Sequence, residues 1–310
     1  MGSLAAPPEP FAAAAATASI EAPSVLGSLK ALAELTKPRI TLFILMSAGI
    51  GYVCGLGGSS VEWFTVFHLI AGTGLLASGT AALNQWYERR TDALMLRTES
   101  RPIPSGRVSA QQALWFGIAI ALVGFIELLV GVNALTALLG LFTLVLYLGV
   151  YTPLKQRTWH ATTLGAIPGA MPPLMGFAAA ARMLPLEALV LFAILFVWQF
   201  PHFYAIAWMY REDYGRAGIK MLPVVEPDGE STARQILLFS LLLIPVSLIP
   251  SVLSMTGNLY LIGTLAMGLV FLFSAIRVSQ ERTRSRARQV LLASVIYLPV
   301  VFGLILLDRA

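Results

Sequence analysis

Apolar residues in this chain come in long blocks, and that feature decides what the chain can fold into. The blocks fall at about 38–57, 64–84, 110–131, 133–152, 161–181, 185–209, 235–254, 257–277 and 289–307. Each is close to the ~20 residues that cross a hydrocarbon core. The helices of a soluble protein alternate apolar and polar faces with a 3.6-residue period; these blocks do not, so every face must meet an apolar surrounding. The expected fold is an all-α polytopic membrane protein of nine transmembrane helices, with one membrane domain over 29–310. Residues 1–28 are rich in Ala, Pro and Ser and contain no Lys or Arg. That composition lacks the basic region of a secretory signal and the Arg-bearing helix of a mitochondrial one, so a disordered cytosolic tail is expected there.

Charge completes the topology. Of 21 Lys and Arg, only Arg182 and Arg309 fall on the side that carries the loops after odd-numbered blocks, which leaves 19 for the other side, Arg39 and Arg277 among them at block ends. By the positive-inside rule the N-terminus and the loops after spans 2, 4, 6 and 8 face the cytoplasm. A net charge of +5 would suggest nucleic acid for a soluble protein. Here the basic residues sit in short connections, where they read as topology signals and contacts to anionic lipid, and no nucleic-acid partner is expected. Cys54 has no cysteine partner, which excludes a disulfide framework. Within the spans, Pro168, Pro172, Pro173 and Pro201 should kink or break helices. Gly51 with Gly55, and Gly165 with Gly169, should allow close helix contacts.

The polar segments then lie on one membrane face, at 84–109, 153–160, 210–234 and 278–288. In the first, Asn84, Glu88 and Asp92 are spaced four apart. On a helix such residues drift about 40° and rise about 6 Å per step, forming an oxygen-bearing stripe suited to a hard cation such as Mg²⁺. Arg89, Arg90, Arg97, Arg101 and Arg107 surround it, and guanidinium forks match phosphate. A solvated helix end with its charges paired to nearby Arg is the other arrangement open to these residues. Arg90-Thr91-Asp92 is echoed four spans later by Arg211-Glu212-Asp213, and Pro102 and Pro223 each follow ten residues after the Asp. Two facing acidic clusters could hold Mg²⁺ against a diphosphate. Lys155 and Arg157 end the fourth span and are either phosphate ligands or ordinary anchors. Arg282, Arg284, Arg286 and Arg288 have no acidic register and read as lipid anchors.

Of the histidines, His68 reads as structural, and His160 as a phosphate contact or a solvated loop residue. His202 lies inside an apolar span, where an ionisable group is costly and marks a cavity, unless it bonds a carbonyl freed by Pro201. On a continuous helix it would share a face with Asp213 about 16 Å away.

The run Asn84-Gln-Trp-Tyr-Glu88-Arg-Arg-Thr-Asp92, with Arg97, Arg101 and Pro102, resembles the intramembrane prenyltransferases of the UbiA superfamily. Tyr151-Thr-Pro-Leu-Lys155, Trp198-Gln-Phe-Pro-His202-Phe-Tyr204, Asp213-Tyr214 and Met221-Leu-Pro223 carry the same resemblance, which covers about residues 30–307. Most of the superfamily has aspartates in both motifs; Asn84, Glu88 and the single Asp213 with His202 upstream look like its haem-modifying branch.

The resemblance implies a cavity open to the cytoplasmic side of a bacterial inner membrane. It also implies Mg²⁺-dependent transfer of farnesyl from farnesyl diphosphate to a vinyl group of haem b, giving haem O for a haem A synthase or terminal oxidase assembly. Asn84, Glu88, Asp92 and Asp213 would organise the metal, Arg97, Arg101, Lys155 and Arg157 would grip diphosphate, and His202 would lie toward the haem or the allylic cation. The alternatives are prenyl transfer to an aromatic acid or quinone precursor and, in a different class, a secondary transporter.

Overall fold

A computed structural model describes residues 25–309, and nine helices among them are long and apolar enough to span a bilayer. They follow the blocks closely. After a short helix α1 (Val25–Leu35) come α2 (Pro38–Gly55), α3 (Trp63–Asp92), α4 (Ala110–Gly131), α5 (Ala134–Leu154), α6 (Ala161–Ala181) and α7 (Leu186–Met209). Two short helices, α8 (Arg211–Arg216) and α9 (Leu222–Val225), precede α10 (Glu230–Val252), α11 (Asn258–Gln280) and α12 (Arg284–Leu307). The tail expected over 1–28 lies outside the described residues up to 24, and residues 25–28 open α1.

The order of burial places α6 at the centre. In its span 72% of residues are buried, against 56% in α7 and 17–39% in the other seven. Its composition explains this: alanines, glycines and prolines leave a thin helix against which neighbours can close. A methyl at Gly51 of α2 would overlap the Pro173 carbonyl, and one at Gly176 would overlap the Ala48 carbonyl, so α2 and α6 touch backbone to backbone. A methyl at Gly55, Gly165 or Gly169 would likewise meet the Phe177 backbone, the Tyr151 ring or the Gln199 side chain.

The prolines do not break their helices. Helix α6 runs through Pro168, Pro172 and Pro173, and α7 through Pro201. A bilayer offers no water to backbone groups released from a helix, so the helical path persists. The two helices are tied by Gln199, whose Nε2 donates to the Ala166 and Leu195 carbonyls at 3.0 Å each.

Alternation of nine spans sends the loops after α3, α5, α7 and α11 to one end, together with the α1–α2 turn. They interlock there. Arg107 pairs with Glu34 at 2.6 Å, and the Lys220 amide donates to the Lys155 carbonyl at 2.9 Å. Met95 of the first loop is buried with Ala217 and Ile219 of the second, and the Trp208 indole donates to the Arg282 carbonyl at 3.1 Å. Arg182 and Arg309 lie at the opposite end, where Arg309 donates to the Val53 carbonyl. The run from Arg282 to Arg288 is largely exposed, with Arg286 paired to Glu281 at 2.8 Å.

Candidate active site

Helix α3 continues to Asp92, beyond the apolar block that ends near 84, and so carries the Asn84, Glu88 and Asp92 stripe as one helical face. The stripe is no solvated helix end: Asn84 and Asp92 are each 1% exposed. Five residues answer it. Asn84 Oδ1 accepts from Lys37 Nζ at 3.3 Å, and its Nδ2 donates to Thr152 Oγ1 at 3.2 Å. Glu88 pairs with Lys155 at 2.8 Å. Asp92 receives Arg101 on both carboxylate oxygens, at 2.8 and 2.7 Å, while its carbonyl accepts from Thr98.

Local structure explains how these partners arrive. Lys37 sits in the left-handed region, φ 50°, immediately before Pro38 starts α2, and this turn directs its side chain toward α3. Within α5, residues Leu146–Tyr151 form a π-helical turn, a wide coil often found at functional sites. Beyond it Thr152 and Lys155 meet the stripe, and the Lys155 ammonium lies 4.4 Å from the centre of the Tyr151 ring.

The charge balance is tight. Burial, with help from Arg101 and Lys155, pushes the Lys37 ammonium down to about 7 against the pull of Glu88 and Asp92. Burial also opposes charge on Lys155, yet Tyr151 and Glu88 outweigh it and hold that ammonium well above the usual lysine range. Lys155, Arg101 and a Lys37 poised to take up a proton thus face two carboxylates, and an added anion would favour the charged form of Lys37.

The second loop joins at the edge. Asp213 is 8% exposed and pairs with Arg216, whereas its neighbour Glu212 is exposed. Arg97 donates to the Tyr214 hydroxyl at 3.3 Å and lies over the Tyr210 and Tyr214 rings, linking the two loops.

Other expected residues fall elsewhere. Arg157 is exposed with no ion pair among the described residues, and His160 is exposed and stacked on Trp159. Arg89 turns to the Trp86 carbonyl and Arg107 to Glu34. His68 pairs with Glu127 at 2.6 Å, as a structural residue would. His202 and Asp213 do not share a helix, because α7 ends at Met209 and Tyr210 leaves the helical region. His202 bonds the Ser294 hydroxyl at 2.8 Å and no carbonyl.

Sequence reasoning passed over Lys37 and gave Tyr151 and Thr152 no role of their own, although they belong to a run that carries the resemblance. The signal for the first was Lys37-Pro38, a cation placed immediately before the proline that starts a spanning helix.

The donors are carboxylate and amide oxygens, which suit Mg²⁺. Among the described residues, however, no group of three or more His, Cys, Asp or Glu lies together, and each acid is held by a basic side chain. Lysine and arginine are also the groups that phosphate oxygens attract, so the donor set and its present partners fit a magnesium diphosphate.

A nine-span bundle with buried carboxylates and cations gathered at one end defines an integral membrane protein built around a site suited to phosphate. The chain belongs to the UbiA prenyltransferase family, whose model matches residues 42–298. It is 62% identical over 285 residues to a protoheme IX farnesyltransferase of Solibacter usitatus, covering 89% of this chain and 97% of that relative. It is 44% identical over 301 residues to one of Koribacter versatilis, covering 94% and 97%. In fold it resembles a structure described as digeranylgeranylglyceryl phosphate synthase (TM-score 0.75, 16% identity, 91% of this chain and 98% of that one). It also resembles a UbiA homolog from Archaeoglobus fulgidus bound to GPP and Mg²⁺ (TM-score 0.62, 16% identity, 89% and 99%). At these identities the two structures bear on the fold alone.

Proposed function

We propose that the protein transfers the farnesyl group of farnesyl diphosphate to a vinyl group of haem b, producing haem O. The observation that carries the donor half is the buried cluster of Lys37, Asn84, Glu88, Asp92, Arg101 and Lys155 at the charged end of an apolar bundle. The acceptor half rests on the name of the 62% identical relative, which is matched almost end to end. The strong bias of Lys and Arg supports a bacterial inner-membrane protein with its N-terminus and site on the cytoplasmic side.

Asn84, Glu88 and Asp92, with Asp213 from the second loop, would hold Mg²⁺, which neutralises charge on the departing diphosphate. Lys155 and Arg101 are positioned to leave their carboxylates for diphosphate oxygens, and Lys37 adds a third cation. Arg97, exposed between the loops, is placed to meet the donor as it enters; Arg157 would contribute only from outside. The carbon–oxygen bond of the donor breaks with its electron pair leaving on diphosphate. The vinyl π electrons of haem attack the allylic carbon, water adds to the resulting cation, and a proton is released. Apolar walls keep water from the allylic cation before the vinyl group reaches it. The product would pass to a haem A synthase or an oxidase assembly.

Chelation tests the donor half. Purified protein given farnesyl diphosphate and haem b should release diphosphate with Mg²⁺ present and stop when EDTA is added. Undiminished release in EDTA would contradict a metal-held donor.

A further inference from the structure

His202 lies in α7, seven residues before its end at Met209 and therefore about 10 Å below the charged surface. Its Nδ1 is 2.8 Å from Ser294 Oγ of α12. A serine hydroxyl has one proton, and that of Ser294 goes to the Leu291 carbonyl at 2.6 Å. The Ser294 oxygen can then only accept, so Nδ1 must be the donor and Nε2 carries the lone pair. Trp198 fixes the ring from the side: its indole donates to the Ser294 carbonyl at 2.8 Å and stacks on the imidazole at 4.8 Å between centroids. Nε2 has no hydrogen-bond partner among the described residues.

An imidazole that donates from one nitrogen to a fixed acceptor and presents the other's lone pair is the arrangement of a metal ligand. No group of three or more His, Cys, Asp or Glu that could complete a protein-held metal site exists among the described residues. An iron that brings four nitrogens in its own macrocycle needs only one. The ring's own neighbours are aromatic, with Trp198 stacked on it and Phe203 edge-on at 5.5 Å between centroids. At the charged end of the same helix pair, Arg284 lies over Tyr210, a cation available to porphyrin carboxylates.

We propose that His202 binds the acceptor by ligating the haem iron through Nε2, with Ser294 as the positioning residue that fixes its tautomer. This rests on haem b being the acceptor. Iron ligation would set the depth and plane of the macrocycle while leaving its vinyl edge free to react.

The test is a titration of the full chain in lipid nanodiscs with ferric haem b, read by absorption and electron paramagnetic resonance. The wild type should show imidazole-ligated iron. His202→Ala should lose that signature, bind haem at least about tenfold more weakly, and regain the signature with added imidazole. Ser294→Ala should keep the signature but weaken binding by about tenfold, the size of effect that loss of a ligand's hydrogen-bond partner brings. Should His202→Ala fail to fold, His202→Met carries the same test, with a thioether signature replacing the imidazole one. An unchanged spectrum in the His202 variants, or no imidazole signature in haem-loaded wild type, would overturn the assignment and leave haem as the acceptor. A wild type that takes up no haem would overturn the acceptor reading itself.

Discussion

Asp92→Asn is expected to lower farnesyl transfer by about 10²–10³-fold, the scale on which removal of one preorganised electrostatic group is felt. Asp92 is 1% exposed and both its oxygens accept from Arg101. Asparagine keeps the shape and removes the charge, turning an amide N–H toward the guanidinium. The loss should appear in kcat at saturating Mg²⁺, because the carboxylate organises charge at the step where the diphosphate departs. Unchanged farnesyl transfer would remove Asp92 from the mechanism. Stability should fall as well, by less than the ~3–5 kcal/mol of a fully buried pair, since Arg101 keeps access to water.

Lys155→Met is expected to abolish measurable turnover and destabilise the fold together. The side chains of Lys155 and Glu88 are 15% and 11% exposed, and their contact is 2.8 Å. Methionine fills the space of the stem but leaves the Glu88 carboxylate unpaired, at a cost of up to ~3–5 kcal/mol. The second substitution Glu88→Gln should recover most of that stability without restoring activity. Denaturant melts of the single and double variants, beside a transfer assay, separate the two roles. A double variant that regains turnover would show Lys155 to be structural only.

These two residues mark what the sequence could and could not disclose. The stripe of Asn84, Glu88 and Asp92 was legible because local helical register fixes it, and α3 extends far enough to carry all three. The spans were legible because bilayer thickness sets their length. Which cations meet Asn84 and Glu88 was not, because that depends on helices far apart in the chain. Lys155 reaches Glu88 across 67 positions, and Lys37 reaches Asn84 across 47. Lys37 looked like one more topology charge until its turn before Pro38 proved to aim it inward. The single helix expected to join His202 with Asp213 failed for a local reason, the non-helical Tyr210, which no periodicity announces. The partner of His202 likewise stands 92 positions away, on α12.

The transporter alternative requires polar sites near the bilayer midplane. The paired acids instead gather where the loops interlock, with Glu88 and Asp92 in the last turns of α3 and Asp213 in the loop after α7. The remaining choice is between acceptors. The decisive measurement gives the purified protein farnesyl diphosphate and Mg²⁺ with haem b and 4-hydroxybenzoate together, followed by mass analysis of both. The account predicts haem carrying a hydroxyethylfarnesyl group and an unmodified aromatic acid. Unmodified haem beside a prenylated aromatic acid would contradict it.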